Sequence, residues 1–332
     1  MAGNAKQKLK LLYLQAILRE KSDEKHPLSS ADLGRELEKV GIQAQRKSIY
    51  SDIDVLRSFG MDILNVTQPK RGYYLATRGF ELPQVRLLMD AVRAADFITE
   101  KKSKELIHCL SSLVSEHQGG EIQRQIYING SHKHTNEEIY YSIDAVSDAI
   151  AKGKKIELLY HRRQLDEQGG ICVQSKEFTI SPYALMWMDD HYYLVGNHEK
   201  YSNLMHLRID RMKKVTVLDD PARSFEEVCE YRGFFDTADY ASKIFHAFGG
   251  ETELVELRCR NAFLEEMLDC FGEDITIRSS GKDHFTFQTN VAASEGFVAT
   301  LLSFGDKVEV LTPRSLRSRM AQTLFAMAGQ YG

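Results

Sequence analysis

The 332-residue chain is short of cysteine pairs. Its five cysteines, at 109, 172, 229, 259 and 270, are odd in number and form no C-x-x-C, which argues against a disulfide framework and a structural zinc site and suits a reducing, cytoplasmic setting. No apolar run approaches the roughly 18 residues of a membrane span. The N-terminal stretch MAGNAKQKLKLLYLQAILREK is basic with an apolar face, but Gln15, Arg19 and Glu20 interrupt it and no small-residue cleavage site follows, so it reads as the first helix of a domain. Catalytic signatures are missing too: there is no G-x-S-x-G elbow, phosphate-binding glycine loop, H-E-x-x-H or paired-carboxylate arrangement. The chain therefore reads as a non-enzyme without a cofactor. His132 and His134 have no carboxylate or cysteine at ligand spacing and read as a polar linker. Asp189, Asp190 and His191, the one conceivable hydrolytic group, read as ordinary turn chemistry.

The length implies two or three domains, and 43% hydrophobic with 27% charged residues is the balance of a globular protein. The net charge of −4 is unevenly spread. Residues 1–80 hold 14 Lys and Arg against 9 Asp and Glu, an excess of five positive charges, which leaves the remainder at −9. Such polarity orients a protein on a polyanion.

Within that basic end, residues 28–75 have the order short helix, tight turn, second helix, basic hairpin. Ser29 and Asp32 have capping-box spacing, so a helix is expected from near Ser30, with Leu33, Leu37 and Val40 as its apolar stripe and Gly41 at its end. After a turn at 41–44, a second helix is expected over about 45–59, burying Ile49, Ile53 and Leu56 and presenting Arg46, Lys47, Tyr50 and Asp54. Strands at 62–66 and 73–75 would flank a polar turn carrying Lys70 and Arg71. This is the layout of a winged helix-turn-helix, with duplex DNA as partner and Arg46, Lys47, Ser48, Tyr50, Lys70 and Arg71 as candidate contacts. The other reading of these charges is a solvated face on a helix pair used for protein contact.

A helical linker is expected over 81–135, with helices from Leu82 and over 103–116, and with breaks at Gly119-Gly120 and 129–135. The next domain, 136–220, should open on a helix over 137–151. Short strands at 155–163, 178–183, 191–197, 205–211 and 215–218 suggest a small, strongly bent antiparallel sheet or barrel. Alternation puts Met205, Leu207 and Ile209 on one face of the fourth strand and His206, Arg208 and Asp210 on the other, while Tyr160 and Arg162 share a face of the first. Arginine forks match phosphate and aromatic faces accept bases, so an anionic nucleotide or short single strand is the expected ligand. Tyr192 and Tyr193 are split by alternation, and which one faces the ligand stays open. An alternative assigns Arg208, Asp210 and Arg211 to a structural ion-pair network. Trp187 reads as a core anchor.

Ser181-Pro182-Tyr183-Ala184-Leu185, Tyr192-Tyr193-Leu194-Val195-Gly196 and His206-Leu207-Arg208-Ile209-Asp210-Arg211 follow one another as in the WYL domain, which this region resembles. Tyr192 stands where that family has Trp, so the aromatic ring is kept and the indole N–H is not. The resemblance implies an Sm-like β-barrel, usually fused to a winged helix-turn-helix, that senses nucleic-acid fragments or nucleotide-like effectors through basic residues of its sheet. Carry-over is firmest for Arg208 and Arg211. With the residues above, the candidate ligand set is Tyr160, Arg162, Tyr192, Tyr193, His206, Arg208 and Arg211.

A helical connector is expected over 221–250, with amphipathic stretches at 224–230 and 237–248. An α+β domain should follow over 251–332, with strands at 254–259, 275–277, 284–291 and 306–311, helices at 261–271 and 294–304, and a last helix opened by Pro313. Residues 296–302 and 305–317 resemble the extension commonly found after WYL domains, which in that family is linked to dimerisation and effector response. Met320, Leu324 and Met327 fit either a dimer stripe or intradomain core. The whole chain thus reads as an α+β multidomain, homodimeric transcription regulator that binds a double-stranded DNA operator under control of a nucleotide or single-stranded effector. The alternative is a nucleic-acid-associated adaptor or processing protein that holds nucleic acid on the basic barrel without transcriptional control.

Overall fold

The computed structural model describes residues 2–125 and 133–331; His132 and its neighbours at 126–132 lie outside the described residues. The chain divides into two compact units, Met1–Thr135 and Asn136–Gly332.

The first unit opens with α1 (Ala2–Lys21), α2 (Ser30–Lys39), α3 (Arg46–Ser58), β1 (Ile63–Val66) and β2 (Gly72–Leu75). Helix α2 starts where the capping box closes: the Asp32 N–H donates to Ser29 Oγ at 3.2 Å, and the Ser29 N–H donates to Asp32 Oδ2 at 2.9 Å. Leu14 and Leu18 of α1, Leu33 and Leu37 of α2 and Ile49 and Ile53 of α3 are buried in one core. The β1–β2 ribbon is antiparallel and is tied to the segment before α2, because Leu28 and Tyr73 exchange two backbone hydrogen bonds of 2.8 Å. Only glycine fits beside that contact, since a Cβ on Gly72 would lie 2.7 Å from the Leu28 carbonyl carbon.

Three further helices, α4 (Leu82–Ala94), α5 (Glu100–Ser111) and α6 (Glu116–Gln125), pack around Val85, Met89, Ile107, Val114 and Ile122. The expected break at Gly119-Gly120 is instead the middle of α6. A Cβ on Gly119 would sit 2.9 Å from the Ser111 carbonyl oxygen, so this glycine permits close helix approach rather than a turn. The expected 103–116 helix is shifted to Glu100–Ser111, because the Thr99 hydroxyl caps it by accepting from the Lys102 N–H.

The second unit begins with α7 (Ile139–Lys152), followed by β3 (Lys154–Leu165), β4 (Ile171–Met188), β5 (His191–Asn197), β6 (Met205–Arg208) and β7 (Met212–Pro221). These five strands form one antiparallel sheet in the order β6-β5-β4-β3-β7. The strand expected over 205–211 ends at Arg208, and Ile209–Arg211 form a 3₁₀ turn. In the connector the two amphipathic stretches shrink to a 3₁₀ turn at Phe225–Glu227 and α8 (Thr237–Lys243).

The last part comprises β8 (Thr252–Arg260), α9 (Leu264–Phe271), β9 (Arg278–Ser279), β10 (His284–Ala292), α10 (Glu295–Ser303), β11 (Val308–Thr312) and α11 (Arg314–Tyr331). Strand order β11-β8-β10-β9, with a helix on each crossover, is the split β-α-β arrangement. Its core holds Val255, Leu257, Cys259, Phe285, Phe287, Phe297 and Leu301. The strand expected at 275–277 is not formed; pairing with β10 is confined to Arg278 and Ser279. Met320 packs against this core, whereas Leu324 and Met327 are exposed.

Candidate functional site

On the first unit, α3 presents Arg46 and Lys47 to solvent in its first turn. Arg46 donates from Nε to the Tyr50 hydroxyl at 2.6 Å, with its guanidinium 5.6 Å from the ring centroid. This contact holds the guanidinium on the outer face of the helix. Hydrogen bonds to Ser30 and Arg46 keep the half-buried Tyr50 phenol below its ordinary pKa. Ser48 turns differently: its hydroxyl accepts from Lys10, a buried α1 lysine that also pairs with Asp52 at 2.7 Å. Ser48 therefore fastens α3 to α1 and is not part of the outward-facing group.

Lys70 and Arg71, next to each other in the ribbon turn, divide in the same way. Lys70 Nζ lies 2.5 Å from Asp32 Oδ2, so it joins the turn to the α2 capping box. Partial burial opposes ionisation of Asp32, but hydrogen bonds from Lys70, Ser29 and Arg35 outweigh it and hold the carboxyl far below the usual range. Arg71 is exposed. Together with Arg46, Tyr50, Ser29, Ser30, Asn65 and Tyr73, it lines an open depression of about 530 Å³ between the start of α2, the start of α3 and the ribbon. Ser30, Asn65 and Tyr73 were absent from the sequence-based contact set. Their local pattern marks a cap and a strand, and only the Leu28–Tyr73 bridge brings these beside α3.

On the second unit, the seven ligand candidates do not form one exposed face. Tyr160 is only 4% exposed, and its hydroxyl accepts from the Arg208 N–H at 3.3 Å. Arg162 is exposed and places its guanidinium 5.7 Å from the Tyr160 ring centroid. Arg208 forks onto the buried Asp210, with Nε to Oδ1 at 3.1 Å and Nη2 to Oδ2 at 2.6 Å. This realises the Arg208–Asp210 half of the ion-pair alternative. Arg211 is exposed and joins no ion pair among the described residues.

Tyr193 sits opposite Arg208 in the β5–β6 ladder and Tyr192 opposite Trp187 in the β4–β5 ladder, which separates the two tyrosines by face. Burial raises both phenol pKa values. Trp187, expected in the core, is half exposed beside Tyr192. His206 is covered by the connector: Nε2 lies 3.0 Å from the Tyr240 hydroxyl, the two rings stack, and burial brings its pKa down to about 4. Alternation put His206 on the correct side of its strand but could not reveal what covers that side. The structure thus gathers Tyr160, Arg162, Tyr193, Arg208 and Arg211 near one end of the sheet and sets Tyr192 and His206 apart.

No group of three or more His, Cys, Asp or Glu side chains suited to a metal ion occurs among the described residues, and no helix among them is long and apolar enough to cross a membrane.

The five-stranded sheet and the C-terminal split β-α-β region each match a domain family. The WYL domain matches residues 142–217 and the WCX domain residues 251–328, so the chain carries a WYL domain followed by a WCX domain. No curated protein matches the chain. Among solved structures it is similar to proteasome accessory factor B/C (PafBC) of Arthrobacter aurescens, at 17% identity and a TM-score of 0.29, over 98% of this chain and 49% of that one. It is also similar to a CRISPR Cas-related protein, at 13% identity and a TM-score of 0.25, over 97% and 84% of the two chains. The chain spans about half the length of the PafBC structure.

Proposed function

We propose that this protein is a DNA-binding transcription regulator in which a winged helix-turn-helix, residues 1–80, docks α3 in the major groove of a duplex operator, and an Sm-like WYL barrel senses an anionic nucleotide or short single strand. The observation that carries the reading is the depression bounded by Arg46, Tyr50, Ser30 and Arg71. Two guanidinium groups, hydroxyls and the start of a helix face one open space wide enough for a phosphodiester backbone. Lys47 beside it extends the basic first turn that major-groove helices use for base edges and phosphates. A homodimer would present two such heads to a pseudo-palindromic site, with half-sites about one helical turn or a multiple of it apart.

In the WYL domain the exposed Arg162 and Arg211 are the groups that meet the effector, and Arg208 is their supporting member, already neutralised by Asp210. Effector binding changes operator affinity through its differential affinity for the arrangements of the two heads. The test is a titration against fluorescent duplex DNA from upstream of the protein's own gene, with and without a short single-stranded oligonucleotide. Duplex binding altered by the oligonucleotide in wild type, and unaltered in Arg162→Ala/Arg211→Ala, is the expected result. An oligonucleotide response that survives the double substitution contradicts the sensor assignment.

A further inference from the structure

The WCX domain contains an incompletely zipped strand pair. Antiparallel pairing between β9 and β10 stops after Phe285–Ser279 and Thr286–Arg278, although the same register would set Ile277 against Phe287 and Thr276 against Gln288. The sequence Ile275-Thr276-Ile277 is β-branched throughout and suits a strand. The segment is unpaired, and Ile275 packs, half-buried, against the domain core. A groove of about 510 Å³ opens between the two segments, with Leu254, Phe271, Ile275 and Phe287 among its apolar lining.

The β10 edge facing that groove carries free backbone groups. The Asn261 N–H donates to the Asp283 carbonyl and the Ser280 N–H to the His284 carbonyl, each at 2.8 Å, which fixes the ladder parity. Odd-numbered residues of β10 face β8, and Thr286, Gln288 and Asn290 turn their N–H and C=O groups the other way. Beyond Thr286, the Gln288 and Asn290 backbone groups on that side have no hydrogen-bond partner among the described residues. Glu256, Asp274 and Arg278 also line the groove, and none of the three joins an ion pair among the described residues. Two carboxylates against one guanidinium leave the groove net negative.

We propose that this groove binds an extended, lysine- or arginine-bearing polypeptide segment, which adds to β10 as a strand at Gln288 and Asn290 and places its cations near Glu256 and Asp274. Strand addition uses main-chain hydrogen bonds for affinity and alternate side chains for selectivity. At about 3.3 Å per residue, the free edge accommodates about four or five residues. The inference does not depend on DNA binding by the first unit.

The test is hydrogen–deuterium exchange on the full chain with a capped pentapeptide library, acetyl-Xaa-Lys-Xaa-Lys-Xaa-amide, at millimolar concentration. Exchange over residues 286–291 is expected to slow at least tenfold. The same library with N-methylated lysine amides, and an acidic library with Glu in place of Lys, should give no protection. Gln288→Pro removes one edge donor at a position where proline leaves the inner ladder intact, and should abolish the effect. Thr276→Trp, on the exposed loop, fills the groove without substituting any β10 residue and should do the same if the proline variant fails to fold. Unchanged exchange with the lysine library, or equal protection by the N-methylated or acidic libraries, would overturn the proposal.

Discussion

The two basic regions of this chain treat their arginines in opposite ways. On the first unit Arg46 and Arg71 stand in solvent around an open depression, whereas the neighbouring Lys70 is neutralised by Asp32 and holds the ribbon to α2. In the WYL sheet the central arginine, Arg208, is forked onto Asp210, which is 2% exposed, and the cations left over lie at the periphery, on Arg162 and Arg211. A polyanion met from solution needs exposed, unpaired charge, because its affinity comes from counterion release. A cluster that already contains its own carboxylate is pre-organised, with its guanidinium fixed in place by the fork onto Asp210. Exposure of the guanidinium, more than the number of arginines, separates the two regions.

The largest expected effect breaks the paired side of this contrast. Asp210→Ala strands Arg208 beside Tyr160 and Tyr193, and losing one partner of a buried pair should destabilise the second unit by about 3–5 kcal/mol in chemical denaturation. Arg211→Ala, at an exposed and unpaired position, should change stability by less than about 0.5 kcal/mol. Equal losses for the two would erase the distinction.

Next, Arg46→Ala/Lys47→Ala should weaken duplex binding by about a hundredfold, or about 3 kcal/mol, in fluorescence anisotropy while leaving thermal unfolding unchanged. A comparable or smaller effect is expected from His206. Its imidazole is held neutral in the folded state with a pKa of about 4 against 6.5 when free, so the unfolded chain takes up the proton first. Stability of the second unit should therefore decline as pH falls from about 6.5 towards 4, by up to about 3 kcal/mol, and His206→Gln should flatten that decline.

The smallest effect sharpens the exposed side. Asp32→Ala removes both the α2 capping interaction and the anchor of Lys70 and should cost about 1 kcal/mol. Lys70→Ala should cost less and leave the salt dependence of DNA binding nearly unchanged, whereas a direct phosphate contact would lower the slope by about one.

How far the sequence foretold this depends on whether the cause is local. Helices α2 and α3 were legible because their signals are within a turn of one another: Ser29 and Asp32 at the start, and Leu33, Leu37, Ile49 and Ile53 at helical spacing. Gly119 misled because a glycine that permits close packing on Ser111 looks, in sequence, like one that breaks a helix. Alternation assigned His206 and Arg208 to one face of β6, but the covering of His206 by Tyr240 comes from residues 34 positions away. Ser48 likewise looked like a major-groove contact until Lys10, 38 residues earlier, claimed its hydroxyl. On the exposed basic surface of the first unit Arg46, Lys47 and Arg71 were readable one by one, while the depression that unites two of them with Ser30 and Asn65 arises only from the pairing of Leu28 with Tyr73.

The most direct test of the central claim is the salt dependence of duplex binding by the full chain, compared with Arg71→Ala. Exposed cations that displace counterions predict a linear fall of log affinity with log salt, amounting to at least about tenfold between 50 and 200 mM, and a slope reduced by about one in the variant. Binding that is insensitive to salt, or a slope that Arg71→Ala leaves untouched, would contradict the claim that this surface grips phosphate.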